Sequence, residues 1–381
     1  MKKMVTIALA AGASAMAAGS ATAGGFSRGT ADTDILYEQG DVNARAGVTW
    51  VNPNRKFRTN SNPALVGTTY SKAYVIPSFA AKFGNDRIAC AATYTEVYGA
   101  ASDYDYATSP ALVSPIRKNS ETIGIDEYGA TCAVFVPMER GRLAFLGGVF
   151  VEKLDYRLDG LLPTPLGSFP VKVSLSGSDV GWRAGVGYEI PEIALRAELM
   201  YRSATEHNPD GTITGAGILV GQPPAAVLPA FGVGDLPQSV ELKLQSGIAP
   251  GWLAFGSIKW TDWSVNETLD LGFSGRTANN QYYWKDGWTV TAGVGHAFNE
   301  QVAGSVALRW DRGVSTGYDL YGDTYTLALG TSVKDSVGGE LRAGVGISYQ
   351  EGPVAHLHPA GSESMEDGWA YSGQLGYKFR W

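Results

Sequence analysis

The stretch GWAYSGQLGYKFRW, Gly368 to Trp381, decides how the rest of the chain is read. From Trp369 every odd position is apolar, aromatic or glycine: Trp369, Tyr371, Gly373, Leu375, Tyr377, Phe379 and Trp381. Between them stand Ala370, Ser372, Gln374, Gly376, Lys378 and Arg380. A period of two means an extended strand with one greasy face and one small or polar face. A strand of this kind with an aromatic last residue is what closes an outer-membrane β-barrel.

The start of the chain agrees. Met1 to Ala23 has a basic beginning (Lys2, Lys3), an apolar middle (Val5 to Ala11) and small residues ending in Ala21-Thr22-Ala23. This is expected to be a bacterial secretory signal cut before Gly24. Its apolar run is too short to span a bilayer, and no later stretch approaches the roughly 20 apolar residues of a membrane helix. The net charge of −7 becomes more negative once the two lysines are removed, which argues against a nucleic-acid partner. An exported chain with 49 glycines and 19 tyrosines, and no spanning helix, points to the closed sheet that lipid permits.

Breaks between strands come in two sizes. Tight breaks fall at Gly84-Asn85-Asp86, Met138 to Gly141, Ile190-Pro191-Glu192, Ala249-Pro250-Gly251, Phe298-Asn299-Glu300 and Lys334 to Gly339. Each carries glycine, proline, Asn or Asp turn chemistry. Long breaks fall at 53–70, 99–119, 159–175, 207–236, 266–281, 315–321 and 352–365. Interleaved, they imply an all-β, fourteen-stranded antiparallel transmembrane β-barrel with both chain ends on the periplasmic side. The expected organisation is a signal peptide at 1–23, a short N-terminal plug or hatch at 24–41, and the barrel at 42–381. Strand fourteen should pair with Leu341 to Tyr349 and with the first strand, Val42 to Val51.

Several strands show two faces. Leu195, Ala197, Leu199 and Tyr201 oppose Arg196, Glu198 and Arg202, with Ile193 placed at the start of the same strand. Val240, Leu242 and Leu244 oppose Glu241, Lys243 and Gln245. The stretch Leu143 to Leu158 differs: both faces are apolar at first, and Lys153, Asp155 and Arg157 follow on one face. Apolar patches inside a barrel suit a hydrophobic cargo better than ions or sugars.

The second half resembles the FadL family of outer-membrane transporters for long-chain fatty acids and other hydrophobic compounds, whose aromatic-hydrocarbon branch is the TodX type. The residues that carry the resemblance are Leu236-Pro237-Gln238-Ser239-Val240, Trp260-Thr261-Asp262-Trp263-Ser264, Gly287-Trp288-Thr289-Val290, Gly295-His296-Ala297-Phe298, the stretch from Tyr325 and the aromatic closing strand. Gly181 to Gly185, Tyr201-Arg202-Ser203 and Tyr98-Gly99-Ala100 are similar to earlier family strands. The resemblance implies a fourteen-stranded barrel with a hatch inside, a lumenal pocket, and sideways exit through an opening at a kink in strand three. Here that kink would involve Tyr98 and Gly99. Two features depart from the family pattern: the hatch is short, and the Asn-Pro-Ala motif is absent from it, since Asn62-Pro63-Ala64 falls after the first strand.

The expected function is passive outer-membrane transport of long-chain fatty acids or similar hydrophobic molecules, not catalysis. Alternatives are an aromatic-hydrocarbon channel and a polar diffusion porin or structural outer-membrane protein. Arg157, Arg183, Arg202 and Lys259 are the lumenal cations singled out for a carboxylate cargo. Most lumenal cations, Arg196, Lys243, Arg309 and Arg342 among them, are expected to pair with Glu189, Glu198, Glu241, Asp311 and Glu340. Trp260 and Trp263 read as an interfacial girdle or as ligand contacts. Cys90 and Cys132, the only cysteines, fall on neighbouring strands and form either a cross-strand disulfide or two thiols. His356 and His358 read as loop histidines, so no metal and no cofactor is expected. The expected partners are a hydrophobic ligand, outer-membrane lipid and the barrel-assembly machinery, around a monomer.

Overall fold

The computed structural model describes residues 24–60, 62–104, 116–165, 167–357 and 363–380. The expected signal peptide, His358 and Trp381 lie outside these residues. Fourteen long strands build the barrel: β1 Val42–Asn52, β2 Tyr74–Gly84, β3 Ile88–Asp103, β4 Arg117–Pro137, β5 Arg142–Thr164, β6 Gly167–Ile190, β7 Leu195–Arg202, β8 Ser239–Ala249, β9 Trp252–Thr261, β10 Gly287–Ala297, β11 Val302–Asp311, β12 Thr324–Lys334, β13 Glu340–Gln350 and β14 Gly368–Arg380. Each pairs antiparallel with the next, and β14 returns to β1 with Val48 opposite Leu375. The ring is closed, so no sheet edge is left to face lipid.

The alternation read from the last strand sets its two faces. Trp369, Tyr371, Leu375 and Phe379 are exposed outward, while Ala370, Ser372 and Lys378 are buried toward the lumen. Outward aromatics Trp50, Tyr128, Trp182, Trp288 and Tyr325 lie toward the long-loop end. Phe83, Phe145 and Trp252 lie toward the other. Such girdles bracket an apolar belt in outer-membrane barrels.

The six short turns close with local chemistry. Asn85, Asn299 and Asp335 each accept two backbone amides two to four residues ahead. Gly141 has φ 78°, and a Cβ there would stand 2.0 Å from the Glu189 carbonyl, so only glycine fits. One turn is longer than the sequence suggests. Pro191–Ile193 form a 3-10 turn and Ala194 takes a left-handed φ of 51°, so Ile193 belongs to the turn and β7 starts at Leu195.

The outer loops depart further. The expected break at 159–175 is instead a continuation of β5 and β6, which run 23 and 24 residues and pair up to Thr164 and Gly167. A belt needs only about 9–11 tilted residues, so these strands, with the 21-residue β4, project well above it. Asp210–Thr214 extends this wall from β6 and is followed by Leu228–Leu236, Thr268–Phe273 and Arg276–Gln281. The breaks at 207–236 and 266–281 are therefore partly strands. Their apolar faces meet those of β4–β6 in one buried cluster that includes Ile125, Leu154, Leu158, Val173, Ile213 and Phe273.

Cys90 and Cys132 stand opposite each other on β3 and β4 and are disulfide-bonded. They lie on the outward face, flanked by exposed Ile88 and Val134, rather than buried inside. Cross-linking two strands 42 residues apart restricts the unfolded chain. We expect Cys90→Ser to lower stability by ~2–4 kcal/mol. Urea titration in detergent, followed by heat-modifiable gel mobility, measures this.

Candidate functional site

Pairing between β2 and β3 stops partway up. Their ladder runs from Gly84↔Ala89 to Ser78↔Thr95 and ends there, although β3 continues to Asp103. Pro77 explains the stop. Its carbonyl faces β3, where it accepts the Thr95 hydroxyl at 2.9 Å. Residues on a strand turn their amide and carbonyl to the same neighbour, and proline has no amide to give. The next residues of β3 then bulge: Glu96 pairs with Asp126 and Tyr98 with Ile125, leaving Val97 extra. Higher up, Ser71 bridges to Ser102 and Lys72 pairs with Asp103 at 2.7 Å. Between these two points the wall lacks a β2–β3 ladder.

The N-terminal segment takes over the vacated edge. Arg28 and Gly29 donate backbone amides to Val97 and Glu96 at 2.8 and 2.9 Å, and Gly99 donates to the Phe26 carbonyl at 2.8 Å. A Cβ on Gly29 would meet the Thr95 hydroxyl at 2.4 Å, so glycine permits this close approach. Arg28 forms an ion pair with Glu96 and lies 4.0 Å over the Tyr74 ring, tying β3 to β2 across the gap.

The rest of the segment crosses the ring. Asp32 and Glu38 pair with Arg45 on β1, Asp34 with Arg196 on β7 and Lys243 on β8, and Glu38 with Lys378 on β14. Contacts with strands all round the barrel require the segment to lie inside it. Tyr37 is buried against Phe135 and beside Gly187. At the other end Phe26 sits among Trp284, Tyr282, Trp263 and Tyr321, with ring centroids 4.9, 5.7, 6.1 and 6.5 Å away. Trp263 is wholly buried in this box rather than in a girdle. Trp284 donates its indole N–H to Asp319, a loop carboxyl whose pKa burial pushes up. Trp260, by contrast, donates its indole N–H to Asp286 at 2.9 Å, outside the box.

Between segment and wall is a cavity of about 410 Å³. Ile76, Val97, Tyr98 and Trp263 form an apolar rim on the side of the wall gap. Ten arginines and lysines also line it, and nine of them are paired with carboxylates. Arg183 and Arg202, two of the cations read from the sequence, share buried Glu127. Arg202 also reaches Glu152, which in turn accepts Thr205 at 2.5 Å and contacts His207 at 3.1 Å. Both arginines are thus committed to charge balance. Lys259 is different: among the described residues it has no ion pair and no hydrogen bond, and Glu241, opposite it in register, stands beyond ion-pair distance.

Arg157 is not in the lumen. Its side chain is 74% exposed on the outward face of β5, 3.6 Å from Asp155, while Leu154, Tyr156 and Leu158 point in. The run Lys153, Asp155, Arg157 is the outer surface above the belt. Pro77 and Arg28 escaped sequence reasoning. Proline inside an otherwise regular strand was the available signal for the first; nothing local marked the second.

A family model described as "Outer membrane protein transport protein (OMPP1/FadL/TodX)" matches residues 171–309. Among solved structures, a FadL homologue of Pseudomonas aeruginosa superposes with TM-score 0.66 at 14% identity, covering 90% of this chain and 92% of that one. The toluene transporter TbuX of Ralstonia pickettii gives 0.63 at 13% identity, covering 94% and 95%. The toluene transporter TodX of P. putida gives 0.65 at 10%, covering 91% and 92%. At these identities the structures establish the fold. No curated protein sequence matches the chain.

Removing Glu127 would strand two buried guanidinium groups. We expect Glu127→Ala to cost ~3–5 kcal/mol and Glu127→Gln less, because the amide still accepts hydrogen bonds. Urea unfolding of both variants in lipid vesicles measures the difference.

Proposed function

We propose that this chain, an outer-membrane β-barrel of the FadL/TodX family, admits amphiphilic apolar molecules with an anionic head, long-chain fatty acids above all. The observation that carries the reading is Lys259, which among the described residues is the cavity's cation without an ion pair and which shares that cavity with an apolar rim beside the wall gap. A carboxylate would pair with Lys259. Its tail would lie along Ile76, Val97, Tyr98 and Trp263, pointing at the interrupted ladder. Nothing with a polar tail gains from leaving sideways into lipid, whereas an acyl chain gains about 0.8 kcal/mol per methylene buried. In this reading residues 24–41 act as the hatch, and release of residues 26–29 from β3 would open the way at Tyr98 and Gly99.

A second cargo class has its own support. The four rings around Phe26 form a box of the size and geometry that accepts one aromatic ring. A monoaromatic hydrocarbon replacing Phe26 there would need no cation. The toluene transporters named above share the fold.

Two measurements separate these readings. Lys259→Met should weaken oleate binding about 10-fold, the loss of one charge-assisted contact, and leave binding of a neutral alkane or toluene unchanged. Equal losses for both, or none, would refute the head-group role. Pro77→Val returns an amide to β2 and lets the ladder extend to Glu96. Cells relying on this variant should grow poorly on oleate although the barrel folds; normal growth would exclude sideways exit between β2 and β3.

A further inference from the structure

The bulge in β3 turns two successive side chains inward. Thr93, Thr95 and Val97 are buried at the strand's spacing of two, and Tyr98, the next residue, is buried as well. A regular strand would send Tyr98 to the opposite face. The extra residue instead brings it in, opposite inward-facing Ile125. There its ring meets Trp263 edge-on at 5.5 Å, and its hydroxyl lies 3.5 Å from the Pro237 carbonyl.

The same hydroxyl accepts a hydrogen bond from Arg202 Nη1 at 3.2 Å. Arg202 is the last residue of β7, a strand that pairs with β6 and β8. The bond is therefore a chord across the lumen, from the kinked strand to one that is not its neighbour. The chord is stiff. A guanidinium has five N–H donors in one plane. Nη1 also reaches the Ser203 carbonyl at 3.3 Å, Nε and Nη2 reach Glu127 at 3.2 and 3.1 Å, and Nη2 also reaches Glu152. With Tyr98 these take up all the donors, so none is left for a cargo carboxylate. The Phe150 ring lies 4.2 Å from the guanidinium and packs one face of it.

No side-chain partner in this chord belongs to residues 24–41, so the chord persists when the hatch is released. The gap itself is narrow. Gly29 fills it, and a Cβ there would stand 3.0 Å from Ile76 on β2 and 2.4 Å from the Thr95 hydroxyl on β3. The space admits a bare backbone, whose cross-section is close to that of an acyl chain. Once residues 26–29 leave, the opening widens only as far as β3 can draw away from β2, and the chord limits that movement.

We propose that Tyr98 is the specificity-determining residue of sideways exit, with Arg202 as its positioning residue. Together they fix the open width between β2 and β3, so that a slender apolar cargo leaves and a fused-ring one does not. The proposal rests on the transport reading above and adds the discrimination by cross-section.

The test compares uptake of radiolabelled oleate and of pyrenedodecanoic acid, which carries a fused-ring group at its tail end, in cells relying on each full-length variant. The wild type should take up oleate and little of the pyrene acid. Tyr98→Phe removes only the hydroxyl, and Arg202→Lys keeps the charge but loses the planar fork. Each should raise the pyrene-to-oleate ratio about 10-fold, the loss of one charge-assisted hydrogen bond. The double variant should gain no more than either single one, because both cut the same contact. Lowered stability alone would reduce both uptakes and leave the ratio as it was; heat-modifiable gel mobility shows that each variant is a folded barrel. A wild type that admits the pyrene acid as freely as oleate, an unchanged ratio in folded Tyr98→Phe, or additive gains in the double variant would each overturn the proposal and leave transport standing. A wild type that takes up no oleate would refute the transport reading and this proposal with it.

Discussion

Closure of one hydrogen-bonded ring is the constraint on which this molecule depends. In lipid a strand cannot leave its amides and carbonyls unpaired, so each of the fourteen strands needs two neighbours, and β14 must find β1. The alternation of side chains follows from that pairing. So does the division of chemistry: aromatic and branched residues outside, small and charged residues inside. Among the described residues, pairing between neighbouring wall strands lapses between β2 and β3, which is therefore costly, and the chain covers the gap with its own N-terminal residues. Backbone bonds from Arg28, Gly29 and Gly99 replace the missing ladder.

The interior is governed by charge balance. Buried arginines are tolerated because carboxylates stand beside them, as with Glu127 between Arg183 and Arg202. Much of this network holds the N-terminal segment: Arg45, Arg196, Lys243 and Lys378 all grip its acidic residues. These ion pairs thus hold the N-terminal segment in place. The exception is Lys259, which has no ion pair among the described residues.

The contrast between the apolar outer cap and the polar lumen below it follows from strand length. Long β4–β6 carry Ile125, Leu154 and Leu158 up into the outer cap, where loop strands cover them. The shorter β8–β14 carry Ser, Thr, Gly and Gln together with paired charges such as Arg309 and Asp311 on their inner face.

The sequence by itself determined the strand period, the number of strands, the side on which turns are short, and the greasy face of the closing strand. Those are local properties, fixed by side-chain alternation and by what glycine, proline and asparagine do to a backbone. Tertiary structure decided the rest. It moved Arg157 outside, because a charge run on a strand that overshoots the belt can point to water on either face. It turned the stretch at 159–175 from loop to strand, because polar strand segments above the membrane look like loops in sequence. It joined Cys90 to Cys132, since strand register is a non-local quantity. It also matched Arg28 to Glu96, 68 residues away, and left Lys259 without an ion pair among the described residues: which charges meet inside a barrel depends on how the ring closes around the segment that fills it.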